Sequence, residues 1–263
     1  MRDVCDGLVI KDTPYGENDR LLTVLTADQG QVLFTAKGAR SLKSKIMPLC
    51  RLFVYANFEY YEKAGRRWLS GGSVNEGFYH VSEDIQGFSL ASYIVQLAAE
   101  ISGEGVPAHD VLRMTLNTLY AIEKKLRPYD QIKSVYEIFV AQEAGVAPAL
   151  DACKSCGTTD AQDWWLDVMN GSICCAKCLS EKSAGAPIPE FDRLMTHNIF
   201  VPLDRSSLAA WRYVSTCDVK RVLAFEVGGE ESMRILSTAT EKYVVNHLER
   251  GFDTLDFYHA VKE

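Results

Sequence analysis

Two cysteine pairs with the same short spacing, Cys153-x2-Cys156 and Cys175-x2-Cys178, are the residues of this sequence best suited to chemistry. Each CxxC is a tight turn that directs two sulfurs towards one point, and 18 residues separate the pairs. Four thiolates at this spacing are the donor set of a structural zinc site, tetrahedral and closed. A catalytic metal keeps one position open and draws on His or carboxylate ligands. No histidine lies between His109 and His197. The cluster therefore points to a Zn²⁺ that holds a fold and does no chemistry. Cys174 is an alternative to Cys175 through a CxxxC spacing, but the repeated CxxC favours Cys175. A thiol redox pair needs only one CxxC, in a βαβ setting. Between the pairs, DWWLDV-MNG-SICC reads as a hairpin with Asn170-Gly171 at its turn, which returns the second pair beside the first. Trp164 and Trp165 then read as packing for a minimal core.

A second group of residues could bind phosphate. The chain carries a net charge of -7, yet from Lys37 to Arg67 it has eight basic residues against two acidic ones, Glu59 and Glu62. The loop TAKGARSLKSK holds Lys37, Arg40, Lys43 and Lys45 among small residues that permit close approach, and Ser41 and Ser44 can hydrogen-bond phosphate oxygens. Arg51, Arg66 and Arg67 lie nearby in sequence. Screening over about 10 Å lets such a patch act against an acidic remainder. In RLFVYANFEYYE, alternation puts Leu52, Val54, Ala56, Phe58 and Tyr60 in a core. Arg51, Phe53, Tyr55, Asn57, Glu59 and Tyr61 then form a candidate surface for stacking bases.

No catalytic constellation accompanies these groups. GxxxxGK[ST], GxGxxG after a strand, HExxH and GxSxG are all missing. His80, His109, His197, His247 and His259 are scattered without ligand spacing, and Glu230-Glu231 suits a helix start. The expectation is a protein that is not an enzyme.

The elements that must position these residues follow from periodicity. With 47% hydrophobic and 24% charged residues, the chain is globular in composition, and no apolar run approaches the length of a membrane span. The opening MRDVCDGLVIKDT places charges where a secretory signal needs an apolar core, so cytoplasmic residence and reduced thiols are expected. GLVIKDT, RLLTVLT, QVLFTAKG, RLFVYANFEYYE and RWLSGGSV alternate with period two and predict five strands, which fit a small Greek-key barrel. Beyond residue 80, apolar residues step by three and four: Leu90 to Ile101, Leu112 to Ile122, and Tyr129 to Phe139. EFDRLMTHNIF, SSLAAWRYV and a long final helix from Met233 to a stop at Gly251 continue the helical pattern. The expected organisation is multidomain α+β. A barrel spans 1–80, a helical domain is built from 81–150 and 183–263, and a four-cysteine insertion occupies 151–182.

A barrel beginning GLVIKDTPYGENDRLLTVLTADQGQVLFTAKGARSLKSK, then helices interrupted by CKSCG…ICCAKC and the ending HLERGFDTLDFY, resembles the RecO family of bacterial DNA-repair proteins. The resemblance implies an OB-fold barrel and binding of single- and double-stranded DNA. It also implies annealing of complementary strands and, with RecR, help in loading RecA recombinase onto DNA coated by single-stranded-DNA-binding protein. Of the family's features, only the basic loop and the cysteines carry over residue by residue. Two other classes compete: a zinc-ribbon assembly factor without DNA binding, and a DNA-processing enzyme whose carboxylates are distant in sequence.

Overall fold

The computed structural model of the chain describes residues 2–41, 43–184 and 199–262. Its N-terminal strands are β1 (Arg2–Tyr15), β2 (Asp19–Thr26), β3 (Gly30–Ala36), β4 (Tyr55–Lys63) and β5 (Arg66–Glu76). They close a barrel in the order β1-β2-β3-β5-β4, antiparallel except for the β3 to β5 pair. This is the small Greek-key barrel of the oligonucleotide-binding fold. β1 serves two neighbours, pairing with β4 through Arg2 to Leu8 and with β2 through Gly7 to Tyr15. A bulge between Val9 and Lys11 turns it from one to the other. Gly7 sits at the crossing, where a Cβ would lie 2.4 Å from Val24. Val9, Leu22, Val24, Val32, Phe34, Ala56, Phe58 and Tyr60 fill the interior, as period-two alternation requires.

Alternation fails just before β4. Period-two alternation predicts a strand from Arg51, but a 3-10 turn at Met47–Cys50 precedes that residue and β4 starts only at Tyr55. Phe53 has φ +68. That left-handed residue breaks the parity, so Phe53 is buried together with Val54 and is not part of a stacking surface. Its ring meets Phe88 edge-on at 5.7 Å.

The chain divides into two compact units, residues 1–126 with 253–263, and residues 127–252. In the first, α1 (Ile85–Ile101), α2 (His109–Glu123) and α7 (Asp253–Lys262) accompany the barrel. Asp84 caps α1 by accepting from the Gln86 N–H. Leu90, Ile94, Leu97 and Ala98 form its buried stripe, and α7 packs along it, with Thr254 bonded to Gln96.

The second unit holds α3 (Tyr129–Glu143), β6 (Asp163–Asp167), β7 (Ser172–Cys175), α4 (Ala176–Ala184), β8 (Phe200–Asp204), α5 (Arg205–Thr216) and α6 (Glu230–His247). Ile132 to Ala141 are buried without interruption, because α5 and α6 both cover α3. Inside, Lys133 donates to Glu137 at 3.0 and 3.1 Å, to the Ser237 carbonyl at 3.1 Å and to Glu241 at 2.9 Å. Thr240 donates to Glu137 at 2.6 Å, so the buried lysine and glutamate are both paired and hydrogen-bonded.

Two readings from sequence change here. Of the helix read over EFDRLMTHNIF, residues 190–198 lie outside the described residues, and Phe200 opens a strand. β8 completes an antiparallel sheet in the order β7-β6-β8, with Pro202 tolerated on the edge strand. The helix from Met233 is not the last, because α6 stops at His247 and α7 follows after Gly251. Beside the expected 1–80, 81–150 with 183–263, and 151–182 domains, the compact units divide the chain after residues 126 and 252. Each joins helices from before and after the cysteine segment, since α1 needs α7 to cover its apolar stripe and α3 needs α5 and α6.

Candidate functional site

The cysteine segment folds so that its local turns aim sulfurs inward. Cys153 follows the chain segment that meets β7, where Ala149 N–H donates to Gly171 O at 2.7 Å and Lys154 N–H to Ile173 O at 2.9 Å. A turn closed by Gly157 N–H to Cys153 O at 2.9 Å sets Cys156 beside it. β7 delivers Cys175 at its end, and the first turn of α4 supplies Cys178. The β6–β7 connection runs through Asn170 and Gly171, with Gly171 at φ +57. Asp167 accepts from both the backbone and the side chain of Asn170, at 3.2 and 2.8 Å.

The sulfurs of Cys153, Cys156, Cys175 and Cys178 all lie within 4.8 Å of one another, the one such donor group among the described residues. A tetrahedral ion with 2.3 Å sulfur bonds needs sulfur separations of about 3.8 Å. Cys156 and Cys175 are 3.8 Å apart. The donor set and its dimensions fit a metal ion held by four thiolates. Burial raises the Cys153 thiol, but backbone N–H groups of Cys175 (3.3 Å), Cys156 and Ser155 outweigh it and lower the pKa to about 6. Elsewhere burial prevails: Cys5 is pushed up to about 11 and Cys50 to about 12, so these thiols stay protonated.

Cys174 lies outside the group of four, although its sulfur is 3.9 Å from Cys153 and 3.7 Å from the Ser155 hydroxyl. Trp164 is buried opposite Cys175 and donates from its indole N–H to Ala161 O at 3.1 Å. Sequence reading missed Arg212. From α5 it donates to Leu150 O at 2.8 Å and Asp151 O at 3.0 Å, with its guanidinium 6.0 Å from the Trp164 ring centre. It ties the base of the thiol segment to the helices, and only its approach to the ring, made by the fold, reveals this.

The basic loop is anchored, and several of its cations are free. Ala39 is fully buried in the barrel core. Gly38 N–H donates to Asp19 at 2.8 Å and Arg40 N–H to Asn18 O at 3.0 Å, and successive turns carry the chain through Ser41 and Ser44. Lys37, Lys43 and Lys45 are exposed, and among the described residues their side chains meet no partner; the same holds for Arg66 at the β4–β5 turn. The remaining arginines are engaged. Arg40 donates to the carbonyls of Gly16 and Glu17 at 3.4 and 3.0 Å. Arg67 pairs with Glu62 at 3.1 Å and Glu104 at 3.8 Å. Arg51 lies 5.9 Å from the Tyr79 ring centre. Of the histidines, His80 faces Glu83, His109 faces Asp28 and His247 donates to Val168 O, while His197 lies outside the described residues. No helix among the described residues is long and apolar enough to cross a membrane.

Known proteins are similar to this chain in sequence. Residues 1–78 match the family model for the recombination protein O N terminal region, and residues 82–191 match the one for its C terminal region. A DNA repair protein RecO from Acetivibrio thermocellus is 27% identical over 251 residues, which cover 95% of this chain and 94% of that protein. Another from Alkaliphilus metalliredigens is 27% identical over 66% of this chain and 70% of its own length. The protein of that name from Caldicellulosiruptor saccharolyticus is 20% identical across 97% of both chains. Barrel and helical regions both match, and the likeness runs through nearly the whole length: the chain belongs to the RecO family.

Proposed function

We propose that this protein is a DNA-binding mediator of recombination in DNA repair. It anneals complementary strands and, with RecR, helps load RecA onto single strands coated by single-stranded-DNA-binding protein. The observation that carries this reading is a loop anchored through Gly38 and Ala39 on an oligonucleotide-binding barrel, whose lysines are exposed and, among the described residues, without partners. Such cations hold phosphates by releasing counterions, a grip that is tunable and indifferent to sequence, as an annealing protein requires. Lys37, Lys43, Lys45 and Arg66 make the principal contacts. Arg40, Arg51 and Arg67 shape the surface while neutralised in part by their neighbours. The relatives' name, DNA repair protein, agrees with this reading.

The ion is Zn²⁺, bound by Cys153, Cys156, Cys175 and Cys178, and its role is structural. The protein works in the cytoplasm, associates with the nucleoid when bound to DNA, and breaks no covalent bond. The direct test is annealing of complementary oligonucleotides, with and without bound single-stranded-DNA-binding protein. The parent should accelerate it, and a Lys43→Ala, Lys45→Ala double variant should be slower. A parent without effect on annealing, or cleavage of the labelled strands, would overturn the reading.

A further inference from the structure

The first half of β1 has an edge that carries no strand. β1 pairs with β4 from Arg2 to Leu8, but its ladder with β2 begins only at Gly7. From Arg2 to Asp6 the far edge therefore meets no strand among the described residues, and the backbone N–H and C=O groups that alternate along it are left over. Edges of this kind are ordinarily protected by charge, proline or a covering helix. This one bears Val4, 65% exposed and the most exposed large apolar side chain among the described residues. Arg2 and Asp6 stand two residues to either side of Val4, so all three share the outer face of the strand, and all three are exposed. Cys5 alternates to the other face and packs against the barrel core.

We infer that this edge pairs with the same edge of a second copy of the chain, antiparallel, about a two-fold axis at Val4. Parity and charge together select this occupant. A two-fold axis that joins two edges antiparallel keeps every side chain on its own face of the joined sheet, so only residues of like parity oppose each other and the axis passes through a residue. The free stretch offers three centres. About Asp3, two aspartates face each other, which is unfavourable. About Cys5, Asp6 faces Val4, and the pairing needs Gly7, whose two edges are already taken by Thr26 and Ala56. About Val4, Arg2 of each copy faces Asp6 of the other, and Val4 faces Val4. Charges that deter a foreign strand are thus matched by a second copy. Asn57 of β4 orients the Asp6 carboxylate for this by donating to one of its oxygens at 3.0 Å. The edge is short, so little area is buried and the dimer dissociates on dilution. Both basic loops stay uncovered, because each rests on the β1–β2 turn at the other end of β1, where Gly38 donates to Asp19. The inference stands apart from the DNA-binding reading; taken with it, the dimer offers two loops to two strands.

Sedimentation of the full chain over a concentration series tests this. The parent should pass from monomer towards dimer as concentration rises, and less readily at high salt. Arg2→Asp and Asp6→Arg each set like charges opposite one another at both ends of the pairing, and each should weaken association roughly tenfold. The double variant with both changes restores opposite charges and should associate as the parent does. An equimolar mixture of the two single variants should do the same, since each then supplies what the other lacks. A parent that stays monomeric at the highest concentration reached overturns the inference. So does association that the single substitutions leave unchanged, or that neither the double variant nor the mixture recovers.

Discussion

The thiol cluster and the basic loop are both short segments pinned between strands, yet one converges and the other diverges. Four sulfurs from two turns, a strand end and a helix start meet within 4.8 Å, three of them on buried residues. The loop's lysines are exposed on an anchored backbone and, among the described residues, meet no partner. A convergent site is all or none, because an ion with three of four ligands loses its closed shell. A divergent site is graded, because each cation contributes its own increment of counterion release. The regions also differ in what surrounds them: β6, β7 and Arg212 hold the thiols in place, whereas nearby carbonyls take up Arg40 of the loop and carboxylates take up Arg67 of β5.

Removing the ion tests that contrast with the largest effect. Cys156→Ser or Cys178→Ser should lower metal content from about one ion per chain to none and expose the β6 and β7 amides to hydrogen exchange. Cys174→Ser should keep the ion. If Cys174→Ser loses the ion while Cys175→Ser retains it, the third ligand is Cys174. If the barrel amides lose protection as well, the two regions are not independent.

The next effect belongs to the interior of the second unit. Lys133→Met leaves Glu137 and Glu241 without their cation, and breaking a buried pair in this way costs roughly 3–5 kcal/mol. Urea unfolding followed in the 127–252 unit should show it; a loss below about 1 kcal/mol would mean that solvent reaches the pair.

On the basic loop the expected change is smaller and takes a different form. Lys43→Ala with Lys45→Ala should make the slope of log affinity against log salt shallower by about one to two units on single strands, at unchanged metal content. An unchanged slope would leave those lysines as solvated side chains.

The smallest effect tests a helix cap near the thiol module. Asp204 accepts from the Ser207 N–H at 2.6 Å and from the Ser232 hydroxyl, so Asp204→Ala should cost about 1 kcal/mol at neutral pH. Burial raises this carboxyl, but those hydrogen bonds prevail and hold it below the usual carboxylate range. Its contribution is therefore present above the unfolded value and lost as pH falls through the lower folded one. The gap between variant and parent in urea midpoint should close on acidification, whereas a gap independent of pH would assign the loss to packing alone.

How much of this was legible in the sequence depended on the range of the signal. The spacing of the cysteines and the alternation in the five strand segments named the thiol group and the barrel, because each reports geometry within a few residues. The same local signal misread two places. At Phe53 a positive φ broke the parity that alternation assumes. At Phe200 a short apolar run became an edge strand beside β6, a pairing that lies more than 30 positions away.

By itself, the sequence determined which side chains could bind: the thiols by spacing, the cations by clustering, the barrel by period. Only the tertiary structure decided which of them are available. It left Lys37, Lys43, Lys45 and Arg66 open while Glu104 and Glu62 claimed Arg67, and grouped Cys175 and not Cys174 with the other three thiols. The physical reason is that periodicity reports whether a face is covered but not by what. The partner of a guanidinium or a sulfur is set by contacts between residues far apart along the chain.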